Sequence, residues 1–116
     1  MCHVLVIEDE WLLAEYVSDI AERAGATSIV TAACETEAVE AAACRKPDII
    51  LSDVILESGT GPHAVRTIME QAGPIPVIFI TGTPDMCDPC NPPGKVFGKP
   101  INERAVIAAF REMMPA

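Results

Sequence analysis

The sequence predicts a doubly wound α/β fold, a five-stranded parallel sheet with helices on both faces. Three observations carry this. Strand-length apolar runs alternate with stretches of helical periodicity, in the order βαβαβαβ, a loop, then βα. The runs are apolar throughout, as in sheets covered on both sides. Polar residues follow at once where the runs end, and in this architecture ligands bind beyond the carboxyl ends of the strands, at the switch point.

Each element has its own signal. His3–Ile7 is a short, continuously apolar strand. Trp11, Leu13, Tyr16, Val17, Ile20 and Ala24 then recur at helical spacing, and Gly25 supplies the stop. Ser28–Thr31 reads as a second strand, and Thr36–Cys44 as an Ala-rich helix that must end before Pro47. Asp48–Ser52 is the third strand. Gly59, Gly61 and Pro62 mark a loop, with Pro62 in the first turn of a helix carrying Val65, Ile68 and Met69 inward. Pro76–Thr81 is the fourth strand, ended by Gly82. Residues 83–95 hold four of the ten prolines, which predicts a loop with at most one helical turn. Val96–Phe97 is a short fifth strand. Asn102 can cap a last helix, with Glu103 in its first turn and Val106, Ile107 and Phe110 inward.

Composition excludes several function classes. A chain of 116 residues suits one domain with one core. Half the residues are apolar and only 4% aromatic, so the core must be built from Val, Ile, Leu, Ala and Met. A net charge of −9 supplies no Lys/Arg cluster to neutralise phosphates, which argues against a nucleic-acid partner. No apolar run approaches the roughly 18 residues of a membrane span, and the acidic start is wrong for a signal peptide. The expectation is a cytoplasmic protein without a membrane partner. Of the five cysteines, Cys87 and Cys90 form a C-x-x-C pair in the Pro-rich stretch. With no further ligands at matching spacing, a loop is the better reading there than a metal or redox site.

The stretch VLVIEDE sets the functional question. Glu8, Asp9 and Glu10 crowd the end of a buried strand, and two like charges about 4 Å apart repel by roughly 4 kcal/mol at an effective dielectric near 20. The same sheet edge receives Asp53 from the third strand, Thr81 from the fourth, and Lys99 followed by Pro100 from the fifth. Three carboxylates with open positions are hard oxygen ligands of the kind Mg²⁺ takes, and a cation would remove their repulsion. Asp53 could then act as a carboxylate nucleophile toward a phosphoryl group. Lys99 supplies a point charge and Thr81 a hydroxyl to its oxygens. Glu10 is expected to favour the positive start of the first helix.

The set IED, LSDV, FITG and GKP resembles the receiver domain of two-component response regulators across essentially the whole chain. The resemblance implies a flavodoxin-like strand order, 2-1-3-4-5. It implies Glu8 and Asp9 as the metal-binding acidic pair and Asp53 as phosphoacceptor and metal ligand, with Ile55 ligating Mg²⁺ through its backbone carbonyl. It further implies Thr81 and Lys99 as the phosphoryl-sensing pair, Pro100 as a proline after a cis peptide, and Gly61 as the glycine opening the third helix. The implied partners are a sensor histidine kinase or histidine phosphotransfer protein and a downstream protein. Residues 1–116 are expected to form a stand-alone receiver that catalyses only its own phosphorylation and dephosphorylation.

The sequence also departs from that pattern. The position three before the lysine, usually the aromatic switch residue, holds Val96, with Phe97 next. The fourth helix of the family is short or replaced by the Pro-rich stretch. Together with FITG, this is similar to single-domain receivers of alphaproteobacteria with a Phe-x-Thr-Gly motif. Phosphorylation is expected to order residues 83–95 instead of flipping an aromatic ring. Trp11 reads as a partly buried packing residue, with a kinase-facing contact as the alternative. His63 reads as an exposed first-turn residue and not a ligand. Two rivals share parts of the set. A haloacid-dehalogenase-type phosphatase wants a second Asp two positions after the nucleophile, where Ile55 stands; a pseudo-receiver would lack the complete acid–Thr–Lys set. A nucleotide-binding module fails for want of a Gly-rich strand-to-helix turn.

Overall fold

The computed structural model describes residues 1–82 and 95–114. The elements run β1 (His3–Ile7), α1 (Trp11–Ala24), β2 (Ser28–Ala32), α2 (Glu35–Cys44), β3 (Ile49–Ser52), α3 (Gly61–Ala72), β4 (Val77–Thr81), β5 (Lys95–Gly98) and α4 (Glu103–Met113). All pairings are parallel and the sheet order is β2-β1-β3-β4-β5. The expected short or replaced helix between β4 and β5, the expected phosphorylation-driven ordering there, and Cys87 and Cys90 fall outside the described residues.

Side-chain alternation explains why the strands lack polar faces. Val4 and Val6 of β1 point into one core with α1 and α4, alongside Ile49, Leu51, Ile78, Ile80, Val106 and Phe110. Leu5 and Ile7 point into a second core with α2 and α3, alongside Ile50, Val65, Ile68, Val77 and Phe79. Each fully buried Val, Leu or Ile contributes about 1.5–3 kcal/mol relative to exposure, so a polar residue on either face of β1, β3 or β4 would be costly. The two edge strands are the less buried ones.

Helix boundaries follow local chemistry. Gly25 ends α1, its N–H reaching Ala21 O and Glu22 O. Thr60 caps α3 by accepting the His63 N–H, with Pro62 in the first turn. Asn102 caps α4 by accepting the Ala105 N–H at 3.1 Å. The buried stripe of α1 differs from the expected one. It comprises Ala14, Val17, Ile20, Ala21 and Ala24, while Trp11 is 68% exposed and Tyr16 38%. The packing reading of Trp11 is therefore corrected. In the first turn the small Ala14 is the residue that meets the sheet, which turns the larger Trp11 and Leu12 outward.

At the opposite end of the sheet from the acids, His3 is buried, its Nδ1 2.8 Å from Ser28 Oγ and its N–H donated to Asp48 Oδ2 at 2.8 Å. Burial first, then Arg45, holds its pKa below the ordinary histidine value. A histidine whose pKa is lowered by folding adds stability that is present above its unfolded pKa and is lost as pH falls through that value. In urea titrations at about pH 7.5 and 5.5, bracketing the unfolded pKa, the wild-type midpoint is expected to drop relative to that of His3→Gln at the lower pH. Parallel midpoints would remove His3 from the pH dependence.

Candidate functional site

The doubly wound order brings the ends of β1, β3, β4 and β5 to one edge. Glu8 and Asp9 follow β1, Asp53 follows β3, Thr81 closes β4, and Lys99 follows β5. One ligand atom each of Glu8, Asp9 and Asp53 lies within 4.8 Å of the others, and this is the metal-capable acidic group found among the described residues. Lys99 Nζ stands 3.6 Å from Asp53 Oδ2 and 4.0 Å from Glu8 Oε1. Its own backbone is set by the Lys99 N–H to Thr81 O bond at 2.9 Å. The Lys99–Pro100 peptide is cis. Thr81 is 2% exposed.

Backbone contacts hold the acids in place. The Asp53 N–H donates to Ile7 O at 2.9 Å, and the Val54 N–H to Asp53 Oδ1 at 2.7 Å. Asp9 Oδ2 accepts the Glu57 N–H at 2.5 Å, tying the end of β1 to the turn before α3. Gly61 lies so close to β3 that a β-carbon there would overlap the Asp53 carbonyl oxygen and Ser52 Oγ. Glu10 is the N-cap residue of α1 but makes no capping bond through its side chain; its N–H donates to Glu8 Oε2 at 3.2 Å. Its place at the helix start is as expected, while its side chain leaves the first N–H groups of α1 uncapped.

Electrostatically the three acids differ. Glu8 is buried, and that burial, opposed by the Glu10 N–H and reinforced by Asp53 and Asp9, pushes its carboxyl up to about 7. A buried carboxylate beside two others is costly unless positive charge compensates. Lys99 supplies part of that charge from one side. Such a donor set, with two less buried acids around a buried one, suits a hard cation that keeps several waters.

The sequence model of the family described as response regulator receiver domain matches residues 4–90. The chain belongs to the response regulator receiver domain family. Receiver domains of this family bind Mg²⁺ at an acidic site and interact with histidine kinases and downstream proteins. The phyllosphere-induced regulator PhyR of Methylorubrum extorquens is 38% identical over 84 residues, which cover 71% of this chain and 31% of PhyR. A protein-glutamate methylesterase/protein-glutamine glutaminase of Archaeoglobus fulgidus is 38% identical over 78 residues, 67% of this chain and 22% of that protein. The chain thus spans less than a third of the length of these two relatives. The solution structure of the Erythrobacter litoralis PhyR receiver domain superposes with a TM-score of 0.83 at 34% identity, covering 97% of this chain and 88% of that one. Lys99 and Pro100 lie beyond the matched segment of the receiver domain, and the fold alone brings Lys99 to Asp53. No helix among the described residues is long and apolar enough to cross a membrane.

Two residues of the receiver domain carried no site reading in the sequence. Glu35, first in α2, accepts the Thr60 N–H at 2.7 Å and pairs with the His63 ring. These partners are 25 and 28 residues away, and nothing local in ACETEA signals the contact. His63 is exposed as expected, with its ring engaged by Glu35.

Proposed function

We propose that this receiver domain accepts a phosphoryl group on Asp53, with Mg²⁺, from a histidine kinase or histidine phosphotransfer protein, and signals through a protein partner. The single observation that carries the reading is the convergence of Glu8, Asp9, Asp53 and Lys99 from three strand ends within contact distance. In the reaction an Asp53 carboxylate oxygen forms a bond to phosphorus as the donor's P–N bond breaks, and the donor imidazole keeps the electron pair. Asp53 starts well placed, since the Val54 N–H fixes Oδ1 and Oδ2 faces Lys99. Lys99 then pairs with a phosphoryl oxygen, and the Thr81 hydroxyl donates to another. Glu8, Asp9, Asp53 and the Ile55 carbonyl would hold the Mg²⁺, which when bound neutralises phosphoryl charge. The catalysis is of the domain's own phosphorylation and dephosphorylation, in a cytoplasmic setting.

Acetyl phosphate separates this from its rivals. With Mg²⁺, intact mass should show one added phosphoryl group, lost without Mg²⁺, and beryllofluoride should give the same saturable state. A pseudo-receiver takes up none, and a phosphatase of the haloacid dehalogenase type turns over phosphate esters repeatedly.

Ile55 is 54% exposed, two residues after Asp53. Its bulk at the mouth of the site is expected to slow water attack on the acyl phosphate. Ile55→Asn should shorten the phosphoryl lifetime several-fold, measured by intact mass after removal of donor, and an unchanged lifetime would refute the role.

A further inference from the structure

The turn between β3 and α3 carries Ile55 and is gripped by carboxylates from two sides. On the site side Asp9 Oδ2 holds the Glu57 N–H at 2.5 Å. On the far side Glu35 makes three separate contacts. Its Oε2 accepts the Thr60 N–H at 2.7 Å, its Oε1 pairs with His63 Nδ1, and its carboxyl fills the space that a β-carbon on Gly59 would occupy. Gly59 has φ +86°, so a side chain is disfavoured there on both counts. Between the grips the turn closes on itself, through the Leu56 N–H to Gly59 O bond at 3.3 Å and the Ile55–Thr60 bridge. His63 is tied to the same turn through its N–H to Thr60 Oγ1 at 3.2 Å.

The ion pair itself adds little stability, about 0–1 kcal/mol for a solvent-accessible pair, with the His63 side chain 66% and the Glu35 side chain 26% exposed. Its physical consequence is geometric. The turn has few apolar anchors of its own, Leu56 being buried and Ile55 exposed, and carboxylates hold its backbone at Glu57 and Thr60. The His63 ring holds the Glu35 carboxyl below the usual range.

We propose that Glu35, braced by His63, is a positioning residue that sets the Ile55–Thr60 turn, and with it Asp9, for cation binding. This rests on the Mg²⁺-dependent reading above. Groups that bond a metal ligand directly typically change affinity by about tenfold or more when removed. Glu35 acts one step further out, through Thr60 and the turn that carries Glu57, so Glu35→Ala is expected to weaken Mg²⁺ binding several-fold by titration calorimetry. Amide exchange at Thr60 should rise in the same variant without added metal, while the global unfolding midpoint stays near wild type. Glu35→Gln keeps an oxygen for the Thr60 N–H and should recover most of the affinity. Wild-type Mg²⁺ affinity in Glu35→Ala overturns the proposal whatever the exchange shows. A wild-type protein that takes up no Mg²⁺ overturns the reading it rests on, and this proposal with it, and the two failures are told apart by that one titration.

Discussion

Asp53→Asn is expected to abolish phosphoryl uptake from acetyl phosphate, leaving the intact mass unchanged where the wild type gains one group. The substitution is nearly isosteric. An amide oxygen can still accept the Val54 N–H that holds Asp53 Oδ1 at 2.7 Å, so the end of β3 should stay in place. What is lost is the carboxylate itself, because an amide oxygen carries no charge with which to attack phosphorus at neutral pH. The charge balance also changes in a way that can be checked. Removing one of three acids relieves repulsion on Glu8, whose carboxyl Asp53 helps push up to about 7, although Lys99 loses its partner at 3.6 Å. The metal-free variant should therefore unfold near the wild-type temperature while Mg²⁺ raises that temperature less than in the wild type. Undiminished phosphoryl uptake by Asp53→Asn would move the nucleophile elsewhere and overturn the proposed chemistry.

Gly61→Ala should produce a large stability loss. The added carbon would overlap the Asp53 carbonyl oxygen and Ser52 Oγ. Neither can yield cheaply: Ser52 is 2% exposed and donates to that same carbonyl at 2.7 Å, and the Gly61 N–H is bound to Val54 O at 2.8 Å. Overpacking of this kind typically costs about 1–3 kcal/mol, and more where backbone must move. In a domain of this size that lowers the melting temperature by roughly 5–10 °C. Because the Asp53 carbonyl is among the displaced atoms, phosphoryl uptake should slow as well. Gly82→Ala is the control, since among the described residues nothing lies within 4 Å of its added carbon, and it should unfold within about 0.5 kcal/mol of wild type. Equal stability of the two variants would show that α3 can shift away from β3 and would remove the packing argument.

Much of this is legible in the sequence. Continuous apolar runs such as HVLVI and VIFIT mark strands buried on both faces, because alternate residues must enter two separate cores. Their ends were legible because the apolar runs give way at once to the polar Glu8, Asp53 and Lys99. The stop at Gly25, the cap at Asn102 and the first-turn Pro62 are local backbone chemistry and fell where expected. Boundaries moved by one residue where a strand could extend along its neighbour, as β2 does to Ala32 opposite Ile7.

The miss at Trp11 has a definite cause. Helical spacing names a set of candidate inward residues but not the rotation of the helix about its axis, and α1 turned the small residues Ala14, Ala21 and Ala24 to the sheet. Glu35 escaped for a different reason, since its partners at Thr60 and His63 lie across α2 and α3.

What the sequence by itself determined is the list of strands, their burial on both faces and the polar groups at their ends, because these depend on residue type and on periods of a few positions. The tertiary structure alone decided how closely those groups approach, that Glu8 is the buried acid of the three, and that a carboxylate on α2 grips the turn before α3. Distances across a sheet are set by strand order and helix rotation, and those come from packing the whole chain at once.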